Sequence, residues 1–407
     1  MLSGLDQVDW SNLTHAYGSA ADVPELLRSL ASRDEEVRGH AIHELYGNIW
    51  HQGTVYQATA HAARFLVELL EEPQVQGKDS ILILLAHLAN GRSYHDVHQH
   101  SAVHRQEATQ SEWRQKIEIE TQWVRESAEA VTAGNAIYLK LLSDHDPAVR
   151  AAVAYLFASL NKPAPQLAAH IEKLISKEND ETARASFLIC FGCLADKNEH
   201  NQIILTNALA MEKSSGGKLA AAFGLIHLCP DHMPQDALAV LLEAIWAPQR
   251  FEVLGQSPWG QVDGLEMLVR EYVARLVGES AAVTTQAMLE ALTGLEHPGA
   301  LVTAEVLLNA VFPEPISPNA AFESLPEQQR QVLAVVARNR SVWVQTINGE
   351  PGKCFKNSLL ARTCGLSARL CELLERATQK EGTFAEANME NKKPGFLERI
   401  GARFRSK

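Results

Sequence analysis

Apolar residues recur along much of this chain with the three-and-four spacing of amphipathic helices. Four segments share a pattern: "DEEVRGHAIHEL" from Asp34, "DPAVRAAVAYLF" from Asp146, "DETARASFLICF" from Asp180 and the more degenerate "GKLAAAFGLIHL" from Gly217. In the first three an Asp opens the segment and an Arg follows four residues later, as Arg38, Arg150 and Arg184. Apolar residues stand three after the Asp (Val37, Val149, Ala183) and seven after it (Ala41, Val153, Phe187), offsets that share one helical face. The Asp carboxylate is placed to N-cap the helix by accepting from free first-turn N–H groups. Each segment is preceded or followed by another amphipathic stretch, such as "VPELLRSLAS", "AARFLVELLEE", "AIYLKLLSD", "LAAHIEKLIS" and "ALAVLLEAIW". The predicted unit is therefore helix, turn, helix. Asp146 and Asp180 are 34 residues apart, Asp180 and Gly217 are 37 apart, and the 112 residues from Asp34 to Asp146 leave room for about three more units. One such hairpin cannot bury its own apolar face, so neighbours are expected to stack into a superhelix.

The D-x-x-V-R-x-x-A core of "DPAVRAAVA" resembles the HEAT-repeat family. The resemblance implies an all-α, right-handed α-solenoid of HEAT/armadillo-like helical hairpins. It also implies structural roles for Asp34, Arg38, Asp146, Arg150, Asp180 and Arg184, which would link neighbouring repeats. The fourth segment has neither the Asp nor the Arg. Over about residues 10–376, "ELYGNIWHQGTVYQATAHAARFLVELL", "SPWGQVDGLEMLVREYVARL" and "LPEQQRQVLAVVARNRSVW" look like a group of bacterial HEAT-repeat proteins of unsettled function. That likeness implies architecture and no activity.

Three features interrupt the array predicted over residues 1–312. Residues 91–121 form an insertion, with a histidine-rich start and a polar helical run after it. Residues 247–263 form a loop with Pro, Gly and two large aromatics. The segment "PEPISPN", with three prolines, ends the regular array. A helical cap is expected to close residues 313–376, followed by a polar linker and basic tail over 377–407.

Composition narrows the function classes. The chain has 407 residues and a net charge of −12, and aromatics make up only 6%, which favours helices over sheets. Residues 392–407 carry six Lys/Arg against one acid, leaving the remainder at −17. An acidic body argues against nucleic acid, whose phosphates need a basic track. "MLSGLDQVDW" has no basic start or apolar run, no run of about 18 apolar residues occurs, and six cysteines do not read as a disulfide framework, so a cytoplasmic protein is expected.

Candidate chemistry is sparse. "YHDVHQHSAVH" holds four histidines, and on a helix His100, His104 and Glu107 would share a face, a legitimate zinc or non-haem iron set. Clustered histidines also make a pH-sensitive or partner-contacting loop, through Tyr94, His95 and His98. "YGNIWHQGTVYQAT" places Trp50, His51, Gln52 and Tyr56 at an inter-helix turn, suited to a ligand or peptide or to satisfying helix-end backbone. Phe251 and Trp259 stand on the long loop as interface anchors or as a loop folded onto its own groove. "CFGC" lies inside a helix and reads as two buried thiols, Cys190 and Cys193. In the tail, Phe396, Leu397, Ile400 and Phe404 fall on one helical side, which suits an anionic membrane surface or a partner groove. No nucleotide-binding, nucleophile-elbow, zinc-protease or calcium-loop motif is present.

The expected function is a non-catalytic scaffold or adaptor, holding a protein partner on a concave face, with acidic walls favouring a basic one. An immunity or regulatory protein is one form of it. The other classes are a metal-dependent or lyase/glycosylase-like HEAT enzyme and a peripheral membrane adaptor touching membrane through the tail alone. No cofactor is expected.

Overall fold

The computed structural model describes residues 2–98, 110–160, 163–261, 264–296, 299–312 and 321–342, with the backbone of 346–347 and 350–351. His100, His104, Glu107, the three prolines of 313–319, Cys364, Cys371 and the tail residues Phe396, Leu397, Ile400 and Phe404 lie outside these residues. The described chain is mostly helical, and its few strands are two-residue pairs. It divides into two compact units, Met1–Asp196 and Lys197–Lys407.

In the first unit, helical hairpins follow the predicted order: α1 (Val23–Ser29) with α2 (Glu35–Asn48), and α3 (Thr59–Glu71) with α4 (Lys78–Ala89). After the inserted α5 (Tyr94–His98) and α6 (Gln110–Thr132) come α7 (Asn135–Leu141) with α8 (Pro147–Ser159), and α9 (Pro165–Ile175) with α10 (Glu181–Leu194). The stretch between Asp34 and Asp146 thus holds one further hairpin and the insertion, not three units. The reason is α6, a 23-residue helix that packs on α3 and α4 and fills that length. The second helices form a row, with α2 against α4, α4 against α8 and α8 against α10.

Local chemistry explains the helix starts. Asp34 Oδ1 accepts from the N–H of Glu36 at 2.9 Å, Asp146 Oδ1 from Ala148 at 2.9 Å, and Asp180 Oδ1 from Ala183 at 2.9 Å. Each cap stabilises its helix by about 1 kcal/mol. The offset-seven residues Ala41, Val153 and Phe187 are all buried, as are Val149 and Ala183 at offset three. Val37 is the exception at 41% exposed, because α2 has a row neighbour on one side only, whereas α8 lies between α4 and α10.

The arginines work differently from one another. Arg150 clamps Glu178 with two bonds of 2.7 Å and also donates to the carbonyls of Asp144 and His145, tying α8 to the turn that opens α10. Burial pushes the Glu178 carboxyl up, but hydrogen bonds from Arg150 and the Asp180 backbone outweigh it and hold the group below the usual carboxylate range. Arg38 donates to the carbonyls of Ser32 and Arg33, and Arg184 to that of Ile175, so both close their own hairpin turns.

The second unit contains α11 (Glu199–Met211), α12 (Ser215–Leu228), α13 (Gln235–Trp246), α16 (Leu265–Val273), α17 (Gly278–Leu292), α18 (Gly299–Val311) and α19 (Glu327–Arg338). The degenerate fourth segment starts its helix three residues earlier than its motif register, and Ser214 takes the missing aspartate's place by accepting from Gly217 N–H at 3.1 Å. The expected loop at 247–263 is folded into short helical turns that include α14 (Glu252–Gly255) and α15 (Pro258–Gln261). Of the C-terminal cap, α19 is described, and Asn339 fastens its end to the Leu292 and Leu295 carbonyls of α17 and the turn after it.

Candidate functional site

Two of the sequence segments singled out above meet in the first unit. Between α2 and α3 the chain makes a hairpin of β3 (Trp50–His51) and β4 (Thr54–Val55). Its two-residue loop has Gln52 at φ 50° and Gly53 at φ 91°, the left-handed pair that a type I′ turn requires. The far side of β4 pairs with the end of α4: Val55 N–H donates to Arg92 O at 3.1 Å and Arg92 N–H to Gly53 O at 2.9 Å. This approach needs Gly91, where a Cβ would run into the Val55 side chain. The pairing brings the "WHQGTVY" turn against the start of the histidine-rich stretch.

Around this junction lie rings in fixed contact. His87, on α4, accepts or donates at both nitrogens, with Nδ1 3.0 Å from Tyr46 Oη of α2 and Nε2 3.1 Å from Tyr155 Oη of α8. Trp50 stacks on His87 with centroids 5.3 Å apart and meets Tyr46 edge to face at 5.6 Å. Burial pushes the Tyr46 phenol well above its usual range, so its hydroxyl stays neutral. On the other side of the hairpin, His51 meets the ring of Tyr17 edge to face at 5.4 Å, and Tyr17 is 72% exposed. Tyr56 Oη is 2.8 Å from Thr54 Oγ1, and burial raises its pKa, with Tyr94, Glu120 and Tyr17 adding to the shift through charge.

His95 and His98 are held by the insertion. Glu120, buried on α6, accepts from Ser93 Oγ at 2.7 Å, from His95 N–H at 2.9 Å and from His95 Nδ1 at 2.6 Å. Trp113 Nε1–H donates to His95 O at 3.2 Å, and the two rings lie 4.6 Å apart. The Nδ1–H of His95 is thereby committed to the carboxylate. His98 stacks on Tyr94 at 4.2 Å and bonds through Nδ1 to the Tyr94 carbonyl at 2.8 Å. Among the described residues no three His, Cys, Asp or Glu are grouped to hold a metal ion.

Trp50, His51, Tyr56, Tyr94 and His95 therefore belong to one neighbourhood, with His98 on the same short helix. Gln52 is exposed at the turn tip. Sequence reasoning missed Tyr17, Tyr46, His87, Trp113, Glu120 and Tyr155. The one visible signal was His87, a lone polar side chain in the apolar run "ILILLAHLA". Of the two readings for Phe251, the folded-back one describes its burial: it is 1% exposed and serves the core of the second unit, because the loop folds back as helical turns against α12 and α13. Trp259 is half-buried in the same fold. Cys190 is fully buried, and burial lifts its thiol well above the ordinary range.

The second unit has a smaller polar–aromatic group that the sequence did not announce. Tyr272 stacks on Phe223 at 3.9 Å and carries Arg275 over its ring at 4.6 Å. Arg275 and Tyr272 Oη both lie 3.3 Å from His227 Nε2. Burial first, then the positive charges of Arg275 and Lys197, pull the His227 pKa down to about 4.

Among the described residues no helix is long and apolar enough to cross a membrane. No family model matches the chain, and no curated protein matches it. Among solved structures it is similar to a crystal structure of an engineered protein, with 15% identity, 88% of this chain and 98% of that one covered, and a TM-score of 0.30, too low to carry a statement about fold.

Proposed function

We propose that the chain is a non-catalytic protein-interaction scaffold, and that the aromatic–histidine face of its first unit docks a partner segment. In this reading the hairpins form a right-handed α-solenoid of HEAT type, and the row α2, α4, α8, α10 is its partner-facing layer. One observation carries the proposal. Tyr17, Trp50, His51 and Tyr94 are partly exposed, yet neighbouring rings and backbone fix their orientation. Rigid aromatic anchors bind with little loss of side-chain entropy and dominate interface energetics. Asp22 and Asp96 lie exposed or half-exposed beside them, and the body of the chain is acidic, which favours a partner carrying Lys or Arg.

The test is a displayed library of short peptides biased to Lys, Arg and aromatic residues, selected on the intact chain and measured by fluorescence anisotropy. Selected peptides should bind Tyr17→Ala/Trp50→Ala at least tenfold more weakly while its circular dichroism is unchanged. Equal binding to the double variant would remove this face from the function.

A further inference from the structure

The second unit carries a groove that nothing in the described chain fills. It is about 430 Å³, roughly three times the ~150 Å³ cavity left by removing one large aliphatic side chain. Val273, Leu276, Met288, Val306 and Val311 form its apolar walls, and they come from α16, α17, α18 and the turn after α16. Ala274, Ala282 and Ala310 stand exposed along it, so its mouth is lined by side chains too small to close it. Arg270 on its wall is neutralised by Glu305 at 2.6 Å, and α19 contributes Gln328 at the rim. Outside the groove α16, α17 and α19 present Glu271, Glu279 and Glu327 to solvent, and the turn after α16 presents Arg275.

One segment of this chain matches that surface. Residues 392–407 have a net charge of +5 in a chain otherwise at −17. Wound as a helix, they would gather Phe396, Leu397, Ile400 and Phe404 within an arc of about 100°, with Arg399 and Arg405 well off it, Arg403 at its edge and Lys407 within it. The described chain also runs toward its end beside the groove. Asn339 bonds the carbonyl of Leu295, and Val342 is buried against α18, one of the groove's walls. The forty residues between 351 and 392 span up to ~130 Å when extended, so reach does not prevent docking.

We propose that residues 392–407 dock in this groove, with Phe396, Leu397, Ile400 and Phe404 on its apolar walls and the basic side chains toward the surrounding carboxylates. A docked tail hides its own apolar face and withholds it from other surfaces until it is released. The attraction between tail and rim weakens with salt, while the apolar contacts do not.

The test follows trypsin cleavage after Arg399 and Arg403 in the full chain, timed by mass spectrometry and normalised to the matching synthetic 392–407 peptide. Two variants are compared with the parent. Ala282→Arg/Ala310→Arg blocks the groove, and Phe396→Ser/Leu397→Ser/Ile400→Ser/Phe404→Ser removes the apolar side while keeping every cleavage site. Both should be cut at least tenfold faster than the parent. Equal rates in all three proteins would overturn the proposal. So would cleavage that slows only on phosphatidylglycerol vesicles, and equally in the groove variant, since the tail would then belong to a membrane surface. Should the double Arg variant lose its helical signal, Ala274→Arg at the exposed rim repeats the comparison.

Discussion

Gln52 holds a left-handed backbone that costs a side-chain-bearing residue about 1 kcal/mol, although glycine would occupy that turn position without strain. Gln52→Gly is therefore expected to raise unfolding free energy by about 1 kcal/mol in urea titrations. If the tip amide contacts a partner, the same variant binds selected peptides less well while being more stable. Arg150→Ala acts in the opposite direction. It leaves the buried Glu178 carboxylate without its fork, and a loss of about 2 kcal/mol is expected; Arg150→Lys should recover only part of it. At His227 the folded pKa of about 4 lies below the ordinary 6.5, so the native state binds fewer protons than the unfolded chain between those values. Stability is then flat above pH 6.5 and falls as pH drops from 6.5 toward 4, by roughly 3 kcal/mol at the limit. His227→Gln should flatten that part of the pH–stability curve. The environments of Arg150 and His227 were not legible from neighbours in sequence, because each depends on a partner reached through folding: Glu178 from the turn before α10, Tyr272 and Arg275 from α16 and the turn after it.

At the scale of elements the sequence spoke more plainly. Asp34, Asp146 and Asp180 announced three helix starts, since capping is a local contact between residues two or three apart. The fourth start was misplaced by three residues because Ser214 does the same work without the motif's Asp. Hairpin β3–β4 escaped the periodicity altogether, as two-residue strands are too short to show alternation. Its pairing to Arg92 depends on Gly91, and Gly91→Ala should open it, cost at least 2 kcal/mol, and speed amide exchange at Val55 and Arg92. The loop at 247–263 looked irregular through its Pro and Gly, yet Phe251 and Leu254 anchor it as helical turns, an outcome set by burial rather than by propensity.

For the whole molecule, the helical class followed from composition and period, whereas the division at Asp196 did not. It falls between α10 and α11 with no change in pattern to mark it. Arg150 and His227 sit in different units and share no hydrogen-bond partner, so the effects of Arg150→Ala and His227→Gln should add within about 0.5 kcal/mol at any pH. Non-additivity beyond that would show that the two sites are energetically coupled. The candidate site was half legible for the same reason that the fold was. Residues near one another in sequence, Trp50 to Tyr56 and Tyr94 to His98, drew attention to themselves, while the side chains that orient them came from four other helices.

The Tyr46–His87–Tyr155 chain has a consequence of its own. A neutral imidazole offers one donor and one acceptor, so the chain has a sense of direction: either the proton order runs from α2 toward α8 or from α8 toward α2. The two orders differ only in where three hydrogens sit, and neither tyrosine can turn its hydroxyl without the imidazole changing tautomer. Three helices, α2, α4 and α8, are thus joined through one imidazole whose tautomer sets which tyrosine donates to it and which accepts.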